Sequence, residues 1–240
     1  MDERVTRVRE MLGLRRLPIK IGFLDGLPAQ LPRWAGGPVA AGCVFWDAAM
    51  EGKSFYTIAA DHWNCAIGSQ IHGIGLPADR ASELDATLEF MIETRYTDAA
   101  EVAGIPQVER EPKAIAYAPA SSEAFQADVI LLAASPAPLS LIHDAARRAG
   151  IAGSGTVSID RPSCAVLPAA SKTGTLALAF GCKSNRVFTQ IADAEAYVAL
   201  PAKRWDDFVE KLLQVQRATL TMGTYFQAHA AKFSGKAGGK

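Results

Sequence analysis

The four cysteines are the residues of this chain with the clearest chemistry. They are Cys43, Cys65, Cys164 and Cys182, widely separated within the 240 residues. No two of them form the C-x-x-C pair that is typical of zinc ribbons and thioredoxin-like redox motifs. Cys65, Cys164 and Cys182 lie at predicted element ends, where loops converge and side chains are free to bind a ligand. Because basic neighbours lower the pKa of a thiol and the thiolate binds metal, this pattern favours a metal site.

The type of ligand favours a soft metal. Four thiolates with no hard ligand beside them suit zinc or an iron–sulfur cluster. A structural zinc ion usually takes its ligands in pairs from tight C-x-x-C turns, and the sequence has none. Four ligands from four distant loops instead favour a larger group, so we predict that the cysteines bind a [4Fe-4S] cluster. Zinc or another single metal, and cysteines that are catalytic or purely structural, remain as alternatives.

Polar residues near the cysteines are candidates for catalysis and substrate binding. His62 can move protons near neutral pH, and Arg186 can bind a carboxylate or phosphate through two hydrogen bonds. We predict these two as catalytic residues, and Tyr56, Asn64 and Asn185 as substrate-binding residues. The structural alternative is that Asn64 caps a helix and that Arg186 forms a surface ion pair. The remaining histidines are interpreted as surface or packing residues: His72, His143 and His229.

The overall composition excludes several classes of protein. The hydrophobic fraction of 49% is too high for a disordered chain. Lys and Arg number 25, as do Asp and Glu, so the composition gives no sign of binding to nucleic acid or an anionic membrane. No apolar run could cross a bilayer, and the charged residues 1–12 do not resemble a signal peptide. We therefore expect a cytoplasmic protein that acts on a small anionic molecule, with an electron-transfer partner and a homo-oligomer as further options.

The hydrophobic pattern predicts a single compact α/β domain, with an α+β arrangement as the alternative. Short apolar runs predict strands at residues 18–24, 55–58, 113–118, 128–133, 156–159, 175–180 and 197–200. The run DVILLA at residues 128–133 is continuous enough for a strand that is buried on both faces. Helical segments alternate with the strands, so we expect a mixed sheet flanked by helices. The domain is expected to span residues 1–220, followed by a C-terminal tail at residues 221–240.

Two amphipathic helices are predicted from apolar residues at helical spacing. Between residues 79 and 96 the apolar positions are Leu84, Leu88, Met91 and Ile92. In the last helix, which begins near Pro201, they are Trp205, Phe208, Val209, Leu212 and Leu213. The chain also carries a weak echo between its halves, since each half has one cysteine beside a glycine and one that begins a Cys-Ala-β-branched segment. Either an ancient duplication or chance explains this echo.

Three segments around the cysteines form a recognisable series of motifs. They are GCVFWDAAMEGKSFYTIAADHWNCAIGSQIHGI at residues 42–74, RPSCAVLPAA at 161–170 and FGCKSNRVFTQIADAEAYVALP at 180–201. In this order they resemble the ArCR family, domain-of-unknown-function family 169, and the likeness covers residues 18–213. The resemblance implies that all four cysteine positions of the family are present, and it supports a shared site more than any reaction. Lys183-Ser184 departs from it, since a smaller turn containing glycine is expected there.

Two classes of function follow from the sequence. The first is an iron–sulfur protein, either an oxidoreductase or a sulfur-handling enzyme, in which His62, Asn64 and Arg186 line the side of the cluster that faces the substrate. The second is a non-redox protein that binds a small molecule or a single metal such as zinc, and whose cysteines are structural.

Overall fold

The computed structural model describes residues 3–62, 64–152, 157–159 and 161–234. Trp63, residue 156 of a predicted strand and residues 235–240 of the predicted tail lie outside these ranges. The strands are β1 (Ile19–Leu24), β2 (Phe55–Thr57), β3 (Ala114–Pro119), β4 (Val129–Ala134), β5 (Val157–Ile159), β6 (Ala177–Ala179) and β7 (Ala196–Pro201). The helices are α1 (Glu3–Leu12), α2 (Val44–Met50), α3 (Ala66–Ile71), α4 (Glu83–Glu93), α5 (Ala99–Ala103), α6 (Pro136–Arg148), α7 (Val166–Thr173), α8 (Lys183–Phe188) and α9 (Trp205–Ser234). No helix of these described segments is long and apolar enough to cross a membrane.

The strands form one open, mixed sheet of seven strands in the order β2-β3-β1-β4-β7-β6-β5. Neighbouring strands are antiparallel except for β5 and β6, which are parallel. All six residues of β4 are buried, which confirms the predicted strand with two covered faces. The fold is therefore a compact α/β domain with a mixed sheet flanked by helices.

The two faces of the sheet carry different helices. On β4, Val129, Leu131 and Ala133 point into the core under α2 and α7, whereas the alternate residues point into the core under α6 and α9. This alternation follows from the two-residue period of a strand. The cysteines Cys43, Cys65 and Cys164 all belong to the first core or pack against it. The sheet therefore places the candidate site on the α2–α7 face.

The last helix, α9, packs against the opposite face through its first half. Phe208 and Leu212 are fully buried, whereas Trp205 and Leu213 are only partly buried, so the apolar stripe is narrower than the sequence suggested. The helix then continues to Ser234, with residues 224–230 exposed. The expected boundary at residue 220 thus falls inside α9, and residues 221–234 are helical.

Helix α4 has an unusual position for an amphipathic helix. It packs mainly against α3, and none of its residues is buried. Ile92, predicted on the apolar face, is 41% exposed. Leu88 and Met91, from the same predicted face, line a cavity instead of a packed core. The apolar face of α4 therefore forms a wall of that cavity.

Candidate functional site

A cavity of about 640 Å³ lies between α4 and the helices that cover the sheet. All four cysteines lie on its wall, although 139 positions separate the first from the last in sequence (43 to 182). None of them is in a disulfide bond. Such a volume is within the range of small-molecule and cofactor sites in proteins.

Each cysteine lies at the start of a short helix or in the turn that leads into one. Cys43, Cys65 and Cys182 directly precede α2, α3 and α8, and Cys164 lies in the 3-10 turn Ser163–Ala165 that leads into α7. At these positions a side chain does not have to pack along the helix surface and can point into a cavity. Ser163, fully buried, joins two of the segments because its Oγ accepts a hydrogen bond from the Cys182 amide at 2.5 Å.

Two glycines allow the Cys65 sulfur its position. A Cβ atom on Gly68 would lie 2.7 Å from Cys65 Sγ, closer than packing allows. A Cβ on Gly42 would lie 3.8 Å from the same sulfur and 3.4 Å from Nδ1 of His62. The backbone amides of Gly42 and Gly68 also donate hydrogen bonds toward Cys65 and favour its thiolate. The sulfur is thus held against two backbone segments.

The thiols are buried and close enough to influence one another. Burial raises the pKa of Cys43 to about 12, while the neighbouring Asn185 amide acts in the opposite direction. Burial also raises the pKa of Cys65, and it raises the pKa of Cys164 strongly. The charges of Cys65, Cys182 and Cys43 would raise the Cys164 pKa further. A bound metal cation would have the opposite effect and lower the pKa of the thiols, because metal binding deprotonates thiols.

Several polar atoms around the cysteines are buried without a hydrogen-bond partner. They are Nδ1 of His62, Nδ1 of His72, the hydroxyl of Tyr117 and Oδ1 of Asn185. On the other ring nitrogen, His62 is paired with Thr57 Oγ1 at 2.8 Å and His72 with the Cys164 carbonyl at 3.3 Å. Burial lowers the pKa of His62 to about 3 and that of His72 to about 4, so both rings are neutral at neutral pH. Native proteins seldom leave buried polar groups unpaired, so these four atoms distinguish the surroundings of the cysteines from an ordinary core.

Tyr117 lies behind the cavity wall, within electrostatic range of the thiols. It is fully buried on β3, and burial raises its pKa far above the ordinary value. The thiols of Cys65, Cys43 and Cys164 are near enough to raise that pKa further. Thr57 lies beside the hydroxyl, but the two make no hydrogen bond of acceptable geometry. The Tyr117 hydroxyl is therefore a buried donor that has no hydrogen-bond partner among the described residues and lies within electrostatic range of three thiols.

Comparison with family models identifies the chain. The model of domain-of-unknown-function family 169, described as uncharacterised ArCR, matches residues 7–211. The chain belongs to the ArCR family. The comparisons with curated proteins and with solved structures found no match. The ArCR match includes all four cysteines, which agrees with the resemblance seen in the motifs.

The predicted polar residues of this ArCR protein divide into three groups. Asn64 and Asn185 line the cavity with the cysteines. His62 lies behind the wall, next to Gly42 and Cys65. Tyr56 and Arg186 are not among the described residues that line the cavity. The structure therefore brings three of the five polar candidates to the cysteines.

Arg186 and Tyr56 have other contacts. The Arg186 guanidinium donates to the carbonyl of Ala192 at 3.2 Å and to those of Phe180 and Glu195, so it holds α8 to the following loop. Tyr56 is the middle residue of β2. The other two residues of the strand, Phe55 and Thr57, are buried, whereas Tyr56 is only partly buried. Neither side chain is placed to contact a molecule in the cavity.

Some residues at the site were not found from the sequence. Tyr117 gave no signal because it lies in an apolar strand run. His72, interpreted as a surface or packing residue, is buried against Phe23, and its ring also pairs with the Cys164 carbonyl. Its position seven residues after Cys65 is a helical repeat and could have indicated the shared face.

The described residues do not form a site for a single metal ion. No group of three or more His, Cys, Asp or Glu side chains among them is arranged to hold one. A zinc ion needs its sulfurs at about 2.3 Å from one centre, a tighter arrangement than a four-iron cluster imposes on its ligands. The four soft thiols, with the unpaired Tyr117 hydroxyl near them, have the chemistry that an iron–sulfur cluster would need of its ligands.

Proposed function

We propose that this protein binds a [4Fe-4S] cluster through Cys43, Cys65, Cys164 and Cys182. The observation that carries the proposal is that four free thiols, from four separate elements, lie on the wall of one cavity. Chance seldom places every cysteine of a chain at one site, and a packing role would not need helix starts. The protein would then act in electron transfer or sulfur handling at this cavity.

The residues around the thiols fit the environment that such a cluster needs. Hydrogen bonds to cluster sulfurs and burial set the reduction potential. The backbone amides of Gly42 and Gly68 favour the Cys65 thiolate, and the Tyr117 hydroxyl, unpaired among the described residues, lies within electrostatic range of three thiols. When bound through four cysteines, the cluster would supply one-electron chemistry without an open iron.

The chain's own residues would exclude water and position a partner molecule. The buried neutral His62 can hold or accept a proton at Nδ1, next to Gly42 and Cys65. Asn64 lines the cavity and is exposed, so it is placed to contact a small substrate. Arg186 is better explained as a support for the loop after α8.

Anaerobic purification tests the proposal. We expect a brown protein with about four irons and four sulfides per chain and broad visible absorption that bleaches on reduction. Reconstitution of the metal-free protein with iron and sulfide should give the same spectrum. A colourless protein with one zinc per chain would favour the single-metal alternative. A protein that binds neither iron nor zinc would contradict the proposal and would favour the alternative in which the cysteines are structural.

The Tyr117→Phe variant should affect the two forms of the protein in opposite ways. In the metal-free form it removes a buried hydroxyl that has no partner, so the free energy of unfolding should stay equal or rise by about 1 kcal/mol. In the loaded form it removes a donor to the cluster, so the reduction potential should become more negative. Denaturant unfolding and a redox titration measure the two effects.

Tyr56→Phe is the matched control, because Tyr56 is partly exposed and lies away from the cavity. It should leave the reduction potential unchanged. A loss of stability in metal-free Tyr117→Phe would contradict the prediction, since it would show that the hydroxyl has a structural partner.

A further inference from the structure

The cavity has far more apolar wall than a four-iron cluster alone needs. Beyond the cysteines it extends along α4 and α8, where Leu88, Met91 and Phe188 line it. Phe90, Val187 and Phe188 line the same cavity and remain 65%, 60% and 47% exposed. Exposed apolar groups concentrated around one cavity are typical of a ligand-binding site.

Helix α4 gains little from burial in this structure. It has an apolar face, yet none of its residues is buried and it packs mainly on the short helix α3. In proteins, helices are stabilised mostly by packing of an amphipathic face against other groups. An apolar molecule in the cavity would cover Leu88 and Met91 and supply that packing. The position of α4 thus indicates that the ligand of the cavity is mostly apolar.

The charges that line the cavity indicate an anionic end. They are three cations, Arg80, Arg161 and Lys183, against one carboxylate, Glu83. Arg80 pairs with Glu83 at 3.3 Å, and Arg161 lies over the Tyr96 ring at 5.0 Å and 3.9 Å from Glu101. Lys183 is exposed at the start of α8, directly after Cys182. Its ammonium group can therefore form an ion pair with a negatively charged ligand group at the edge of the cavity.

We propose that the cavity binds an aliphatic carboxylate, with its chain between α4 and α8 and its carboxylate at Lys183. The chain lies against Leu88, Met91 and Phe188 and extends toward the cysteines. This ligand deepens the proposed function and rests on it for its place beside the cluster. The small anionic molecule expected from the sequence thus becomes, more specifically, a carboxylate with an apolar chain.

Calorimetric titration with hexanoate, octanoate and decanoate tests the apolar part. Each methylene that enters the cavity should tighten binding by about fourfold, and each step of two carbons by about fifteenfold. Decanol is the uncharged comparison, and it should bind about tenfold more weakly than decanoate if the ammonium of Lys183 pairs with the carboxylate. Equal binding of decanol and decanoate would overturn the anionic part. Affinity that does not depend on chain length would overturn the apolar part.

Two pairs of variants locate the ligand. Leu88→Trp fills the cavity and should abolish decanoate binding, whereas Glu89→Trp places the same ring on the exposed side of α4 and should not. Lys183→Met should weaken decanoate about tenfold and leave decanol unchanged. Lys203→Met, an exposed lysine outside the cavity lining, is its control. Equal effects within either pair would overturn the assignment.

Iron content separates this proposal from the proposed function. Titrations are run on the metal-free and the reconstituted protein, with iron and sulfide measured in each sample. Decanoate should alter the electron paramagnetic resonance signal of the reduced cluster, since both lie in one cavity. A loaded protein that does not bind decanoate overturns the ligand and leaves the cluster. Chain-length-dependent binding to a protein that takes up no iron overturns the cluster and leaves the ligand.

Discussion

Replacing Cys164 by serine should remove most of the bound iron and sulfide. Cys164 is a thiol close to the other three, and the loss of one thiolate opens the site on that side. Altering even the outer partners of a metal ligand costs about 10–100-fold in affinity, so a lost ligand should cost at least that much. The same result is expected for Cys43→Ser, Cys65→Ser and Cys182→Ser. Iron analysis and visible absorption after anaerobic reconstitution measure it.

The stability of the metal-free variants shows whether the sulfurs act as ligands or as packing groups. Serine is close in size to cysteine, but a buried hydroxyl without a partner costs about 1–3 kcal/mol, so the unfolding free energy of each metal-free variant should fall by no more than that. Ser184→Ala, which changes a residue of the cavity wall that carries no sulfur, should keep the full iron content. If all four variants keep their iron, the four-cysteine proposal is wrong. If three lose it and one does not, the fourth cysteine is not a ligand.

The position of the cysteines at element ends follows from features that the sequence contains. Cys65 follows a polar turn and Cys182 follows a glycine, so both were expected at element ends. The continuous apolar run of β4 likewise predicts a strand buried on both faces, and the structure confirms it. These inferences succeeded because turn residues and hydrophobic period are local properties of the chain.

Other features depend on long-range packing that no local pattern records. Leu88 and Met91 have the spacing of a core face, and the sequence does not show that they face a cavity. Tyr117 resembles any aromatic residue in a strand until three loops bring thiols to its hydroxyl. Arg186 has a basic side chain beside a cysteine, but its guanidinium binds backbone carbonyls of the next loop. For α4 and Tyr117 the decisive neighbours are distant in sequence, whereas the carbonyls that bind Arg186 lie six and nine residues away and carry no signal in the sequence.

A buried ion network connects α2 to the loop that follows α8. Asp47 on α2, four residues after Cys43, pairs with Arg16 and accepts a hydrogen bond from the Gln190 amide at 2.7 Å. Arg16 also lies 3.6 Å from Glu195, whose carboxylate accepts from the Ala192 amide at 2.9 Å. Asp47 and Glu195 are each 7% exposed. The network thus fixes α2 to the loop that follows α8, the helix that begins after Cys182.

The Asp47→Asn variant should therefore lose about 3–5 kcal/mol of unfolding free energy, because it leaves Arg16 buried with one partner fewer. Burial raises the pKa of Asp47, while the Gln190 amide and Arg16 act in the opposite direction and favour the carboxylate. Asp206→Asn is the matched control, since the Asp206–Arg4 pair is largely exposed and should be worth at most about 1 kcal/mol. Denaturant unfolding of the metal-free proteins measures both values. Equal losses in the two variants would contradict the buried network.

Loading the Asp47→Asn variant with iron and sulfide should restore part of the lost stability. A cluster held by Cys43 and Cys182 would connect α2 and α8 directly, and a ligand that binds only the folded state stabilises that state. The unfolding midpoint of the variant should therefore rise more after reconstitution with iron and sulfide than after the addition of iron alone. The control Asp206→Asn should rise by the same amount from a higher starting value. If reconstitution leaves both midpoints unchanged while iron is retained, the folded protein does not bind the iron in preference to the unfolded chain, and the cluster proposal is wrong.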